Sequence, residues 1–202
     1  TAYALGQITF DPKNPLIPGE SYNINLKKNL ADTEGLKLGV DTTITFTVDS
    51  EVYQSGTVLD EFEAIGGWWD PNNSGSTVGT DPTTTTFTIV TNRKVNGTNS
   101  GKLSYTFTEN SGGVCRAHNS TKPNIGSSTT SKVGMWVYGD LSYNTLEYWF
   151  YYSSSSNAIV KVDTLNWTGW KLKYINTSDI TGTGDKLFHS IWNIQVGKSK
   201  NR

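Results

Sequence analysis

Three pairs of residues, each two apart in sequence, carry the chemistry this chain offers: Trp136 with Tyr138, Trp149 with Tyr151, and Arg116 with His118. Each pair lies in a segment that alternates apolar and polar residues, and in an extended strand side chains at i and i+2 share a face. If Val133, Met135 and Val137 pack inward, Gly134, Trp136 and Tyr138 face the other way. Burying Leu146, Tyr148 and Phe150 turns Glu147, Trp149 and Tyr151 outward, and burying Cys115 and Ala117 does the same for Arg116 and His118. Flat indole and phenol rings offer a surface for the C–H faces of pyranose rings, and planar polar side chains offer bonds to hydroxyls. The alternation therefore predicts one concave sheet face. On it, Trp136, Tyr138, Trp149 and Tyr151 are platforms and Arg116, His118 and Glu147 are hydrogen-bond partners. An exposed aromatic patch of that size marks a binding surface.

Trp is on average a buried residue, so core and ligand roles compete at every indole. Trp69 and Trp170 are expected in the core, Trp170 because it alternates with Leu172 and Tyr174. Trp68 and Trp167 adjoin loops and either rim the ligand site or cap the core. A register slip of one residue reverses all of these assignments.

Catalytic readings find less support. Glycan hydrolysis uses two opposed carboxylates, and no spacing among Asp60, Glu61, Glu63, Asp70, Asp81, Glu109, Asp140, Glu147, Asp163, Asp179 and Asp185 singles out a pair. His118 and His189 are the only histidines, and no nucleophile-elbow pattern accompanies them. His189 reads as an ordinary surface or edge residue. Cys115, in an alternating strand, reads as a small core residue rather than a nucleophile. The expectation is a non-catalytic chain.

These side chains need strands to position them, and the composition supplies strand formers. The 202 residues include 7 Trp, 10 Tyr and 7 Phe, with 17% charged residues, 1 Cys and a net charge of −1. So few charges do not suit a solvated helix bundle. The near-neutral balance gives no electrostatic footprint for nucleic acid, and no apolar run approaches the ~20 residues that span a bilayer. One Cys cannot form an intrachain disulfide or a multi-cysteine zinc site. The chain is expected to be all-β and of extracellular type.

Two textures follow one another. Ser21–Lys27 and Asp41–Val48 alternate, setting Tyr22, Ile24 and Leu26, then Ile44, Phe46 and Val48, on one face. Pro18-Gly19 is a turn before the first run, and Ala31–Gly35 is a tight turn between the two, with Gly35 its positive-φ residue. Residues 51–58 read as a linker. From Leu59, short strands recur about every 8–12 residues with turn clusters between them, as in an antiparallel sandwich. They are expected at Phe87–Val90, Lys102–Thr108, Val114–His118, Lys132–Tyr138, Leu146–Tyr152, Asn157–Val162, Trp167–Tyr174 and Phe188–Val196, with a turn at Gly139-Asp140 and a loop at Ser153–Ser156.

The first texture, over Pro15–Asp49, resembles the C-terminal half of a bacterial Ig-like domain of the kind repeated in S-layer and other cell-surface proteins. With the abrupt start in Tyr3, Leu5 and Ile8, this leads us to expect a piece of a longer secreted protein: residues 1–50 part of an Ig-like domain, 51–58 a linker, 59–202 a second module. In that module Leu59–Glu63 before Gly67-Trp68-Trp69, Val95–Tyr105, Trp136–Asp140 and Asn166–Lys171 resemble segments of carbohydrate-binding β-jelly-roll modules found beside phosphodiester glycosidase-like domains. The resemblance implies a galactose-binding-like jelly roll that binds poly- or oligosaccharide without catalysis, outside the cell, beside other domains of its parent. It also implies a structural calcium held by Glu63, with Asp60 or Glu61 and the backbone carbonyl of Lys102. The closing segment departs from that pattern, with Trp192 or Asn193 where the family places a carboxylate. The alternative is a structural spacer or adhesion module that binds no glycan.

Overall fold

The computed structural model describes residues 20–48, 56–152 and 156–197, together with Pro12 and Leu16. The chain divides into two compact units, Thr1–Gly56 and Thr57–Arg202.

In the first unit, β1 (Ser21–Leu26) pairs antiparallel with β2 (Thr42–Thr47). The register sets Tyr22 opposite Phe46 and Ile24 opposite Ile44, and the Tyr22 and Phe46 rings stack at 6.0 Å. The polar face is laced by cross-strand bonds: Thr43 to Asn25 and Thr45 to Asn23. In the connection, the Asp32 carboxylate accepts the backbone N–H groups of Glu34 and Leu36, and Gly35 takes φ +85°, a conformation costly for a residue with a Cβ. The apolar residues of this unit stay poorly covered, with Leu36 75% exposed. Tyr3, Leu5, Ile8 and Pro18-Gly19 lie outside the described residues.

The second unit contains β3 (Thr86–Val90), β4 (Ser100–Ser104), β5 (Val114–His118), β6 (Asn124–Gly126), β7 (Lys132–Asp140), β8 (Thr145–Tyr152), β9 (Ser156–Thr164), β10 (Thr168–Asn176) and β11 (Lys186–Ile194). All pairings are antiparallel, and among the described residues no α-helix forms. The largest sheet runs β5-β11-β8-β9, with β6 also paired to β11; β7 pairs with β10 and β3 with β4. Gly139 and Asp140 end β7 rather than forming the expected turn. They stay extended because β10 continues to pair there, Gly169 opposite Gly139, and because Trp167 fills the space a Cβ at Gly139 would need.

One core joins the sheets, which makes this unit a β-sandwich. Tyr148 and Phe150 of β8 are both 0% exposed, and they pack in one cluster with Ala117, Phe188, Ala158 and Val160 of the same sheet and with Val133 and Ile175 of β7 and β10. Phe87 of β3 joins through Trp68, whose ring stacks on it at 5.2 Å. The Tyr148 hydroxyl donates to the Lys173 carbonyl at 3.2 Å, a partner that its deep burial requires. Burial also drives this phenol's pKa well above its ordinary value. Phe150→Ala removes the centre of this cluster and should cost about 3–5 kcal/mol. Urea denaturation followed by Trp fluorescence would measure it as a lowered midpoint.

Candidate functional site

The outer face of the β5-β11-β8-β9 sheet is built by alternation plus one irregularity. Cys115 and Ala117 are fully buried, so Arg116 and His118 take the other face of β5; Tyr148 and Phe150 do the same for Glu147, Trp149 and Tyr151 on β8. In β11 the register against β8 shifts between Phe188 and Ser190. Strict alternation from the buried Phe188 would send Trp192 into the core. The extra residue, His189, instead puts Ile191 against the core and Trp192 outward, the re-aiming that a bulge produces.

Trp192 therefore meets Trp149 on the outer face. The register sets Trp192 opposite Glu147 and Trp149 opposite Ser190, so the two are diagonal neighbours and their indoles stack at 4.0 Å and 5°. The Arg116 guanidinium lies 5.6 Å from the Trp192 ring centroid. Trp192 Nε1 donates to Ser190 Oγ at 2.7 Å, and Trp149 Nε1 to Glu147 Oε2 at 3.5 Å. Trp192 is buried between neighbours, so Trp149 carries the accessible surface of the pair.

A second run of rings crosses the other end of the face: Trp69 to His118 at 4.6 Å, His118 to His189 at 4.3 Å, and His189 to Tyr151 at 4.2 Å, all edge-on. Lys122 places its ammonium 5.0 Å from the Tyr151 ring centroid. Trp69 is 44% exposed, whereas His118 and His189 are 6% and 4% exposed. Burial first, then the charges of Arg116 and Lys122, lowers the pKa of both imidazoles, that of His189 to about 3. Both are neutral at pH 7. His189 also feels His118, and its Nδ1 lies 3.0 Å from Ser190 Oγ.

Arg116, His118, Glu147, Trp149 and Tyr151 thus share one sheet face. Trp136 and Tyr138 do not join them. They lie on β7, in the other sheet, on the face opposite Val133, Met135 and Val137, so the shared core separates them from Trp149. Trp68 and Trp167 are core residues, held by Trp68 Nε1 donating to Asp60 Oδ2 at 2.8 Å and Trp167 Nε1 to the Gly169 carbonyl at 3.1 Å. Trp69, expected in the core, is instead on the surface. Trp68 bridges Asn119, on the inward side of the β5 alternation, which leaves Trp69 on the His118 side with its N–H bonded to the His118 carbonyl at 2.9 Å. Gly67 permits this approach, because a Cβ there would stand 2.6 Å from Thr121 Cγ2.

No protein-family model, curated protein or solved structure matches this chain.

Trp170 also departs from expectation. With Leu172 and Tyr174 it lies on the outer face of the β7–β10 pair, opposite Tyr138, Trp136 and Gly134, and its ring meets Tyr138 edge-on at 5.5 Å. The inward positions of β10 hold Lys171, Lys173 and Ile175. Both ammoniums lie over the Trp167 ring, Lys173 at 4.7 Å, and Lys173 pairs with Asp163 at 2.6 Å. Cation–π contact and an ion pair thus hold lysines where apolarity alone would place the aromatic residues.

Asp60 and Glu63 anchor backbone. Asp60 Oδ1 accepts Phe62 N–H at 2.8 Å. Glu63 Oε1 accepts the N–H groups of Thr98 and Asn99, and Oε2 the Thr98 hydroxyl, bonds that hold its pKa below the usual value. Lys102 faces Thr88 across the β3–β4 pair. Hydrogen-bond donors converge on these oxygens where a calcium cage brings in further oxygens. Among the described residues no group of three or more His, Cys, Asp or Glu could hold a metal ion. These residues do not fit the implied calcium site.

Cys115 is a buried core residue whose thiol is pushed up to about 12, by burial and then by Asp70. His189 is buried rather than an ordinary surface histidine, and its depressed pKa fixes a sign. Between about pH 6.5 and 3 the unfolded chain binds a proton that the folded chain refuses, so folding stability should fall as pH drops through that window. His118 acts in the same direction. His189→Gln should flatten the acid limb of a Tm-against-pH curve. An unchanged limb would show that the imidazole does not titrate this way.

Proposed function

We propose that the second unit is a non-catalytic carbohydrate-binding module whose ligand lies along the outer face of the β5-β11-β8-β9 sheet. The observation that carries this reading is the pairing of accessible rings, Trp69, Trp149 and Tyr151, with the polar groups of Arg116, Glu147 and Lys122 on that face. Pyranose rings stack on the accessible surfaces of Trp149 and Trp69, and hydroxyls bond the Glu147 carboxylate and the exposed polar rim. Trp192, His118 and His189 form the layer beneath, holding these groups at fixed spacing. The motifs from Leu59 to Lys171 that resemble carbohydrate-binding jelly rolls favour the same reading. In this reading the module belongs to a larger secreted or cell-surface bacterial protein and concentrates its neighbouring domains on polysaccharide.

The spacer or adhesion reading is favoured by a different observation. The outer face of β7–β10 gathers Trp136, Tyr138, Trp170, Leu172 and Tyr174, and the first unit exposes Leu36, Val40 and Ile44. Such surfaces suit packing against other domains.

One experiment separates the two. Titration of the chain against a panel of neutral and acidic plant and microbial glycans should detect binding, and Trp69→Ala with Trp149→Ala should weaken it at least tenfold, roughly the worth of one lost aromatic contact. Trp136→Ala with Tyr138→Ala should leave it unchanged. Absence of binding across the panel, or full binding by the Trp69/Trp149 variant, would overturn the module or its proposed face.

A further inference from the structure

Resting on that reading, we propose that the ligand is an acidic glycan, its uronate carboxylates or sulfate esters recognised at the Arg116–His118–Lys122 corner of the face. Three observations converge there. Arg116 and Lys122 are cations with no carboxylate partner: among the described residues neither enters an ion pair. Two nitrogens of the corner lack an acceptor or donor, Arg116 Nε and His118 Nδ1, both buried. They belong to residues i and i+2 of one strand face, so both border the same stretch of surface.

Buried polar groups in folded proteins are almost always paired, and an orphan calls for a missing ion, water or ligand. Arg116 is otherwise well tied. Its Nη1 donates to Ser76 Oγ at 3.1 Å and its Nη2 to the Ser74 carbonyl at 2.9 Å, which fixes the guanidinium while Nε has no acceptor. The cations Arg116 and Lys122 both act to lower the pKa values of His118 and His189. The nearby carboxylates are committed elsewhere. Asp70 caps Asn72 N–H at 2.9 Å, and Glu147 takes the Trp149 indole and stands opposite Lys161.

Trp69 rests edge-on upon His118, and Tyr151 lies under the Lys122 ammonium. A ring stacked on Tyr151 therefore holds its substituents next to Lys122, whose charge a carboxylate or sulfate offsets and a hydroxyl does not.

The test compares charge alone on otherwise matched chains: alginate and polygalacturonate against their carboxyl-reduced forms, and dextran sulfate against dextran. The expected result is at least tenfold stronger binding to the charged member of one pair, lost progressively as salt rises, with the first two pairs reporting carboxylate and the third sulfate. Lys122→Gln and Arg116→Gln should each reduce the preference severalfold, and Lys122→Gln tests the corner even if Arg116→Gln fails to fold. Equal binding of charged and uncharged members, with the Trp69/Trp149 variant still defective, would overturn the acidic-glycan inference and leave the binding face standing. A charge preference untouched by either cation variant would overturn the corner. No binding to any glycan, charged or neutral, would overturn both.

Discussion

The register shift at His189 is the constraint on which the outer face depends. Without it, β11 would continue the alternation begun at Phe188 and bury Trp192, Arg116 would lose the ring beside it, and Trp149 would lose its stacking partner. One inserted residue instead serves both faces. Phe188 and Ile191 fill the core, while His189, Ser190 and Trp192 line the outside. β11 lies between β5 and β8, and the shift falls on its β8 side, while its pairing with β5 runs in unbroken register from Ser190 to Ile194.

The buried layer beneath the surface rings is made unusually polar for its depth. Ser190 Oγ accepts the Trp192 indole and neighbours His189, and the two imidazoles stay neutral in a positive field. Neutral, closely packed rings hold position through quadrupole contacts rather than through charge. Rigid support of this kind suits recognition by stacking, where the platform must be ready before the ligand arrives.

The two sheets use aromatic residues in opposite ways. On β8 alternation is orthodox, with aliphatic and aromatic side chains inward and a mixed face outward. On β10 the rule inverts. Lysines settle over Trp167 on the inner side, and Trp170, Leu172 and Tyr174 face out beside Trp136 and Tyr138. Both arrangements satisfy the same physics, since lysine stems are apolar and their ammoniums find Asp163 and an indole. Cations reach the rings of both outer faces, Lys122 over Tyr151 on one sheet and Arg93 over Tyr138 and Lys132 over Tyr174 on the other.

Period-two alternation was enough to reveal most of the strands, their inward residues on β5, β7 and β8, and the all-β class, because each of those three strands packs one face into the core; the short β6 was not read from it, and the strand expected at Lys102–Thr108 is β4, Ser100–Ser104. It also placed Arg116, His118, Glu147, Trp149 and Tyr151 on outward positions. Three things were not legible. Trp136 and Tyr138 were outward as expected, but alternation within a strand does not say which sheet that strand joins, and pairing with β10 sent them to another face. Trp192 and His189 were hidden because a bulge leaves no periodic trace in a run such as Phe188–Ile194. Trp68 and Trp69 could be told apart only by the bridge to Asn119, a contact between residues distant in the chain. Local pattern fixes which way a side chain points from its own strand. Strand pairing, register and bulges, which are long-range choices, decide what it meets there.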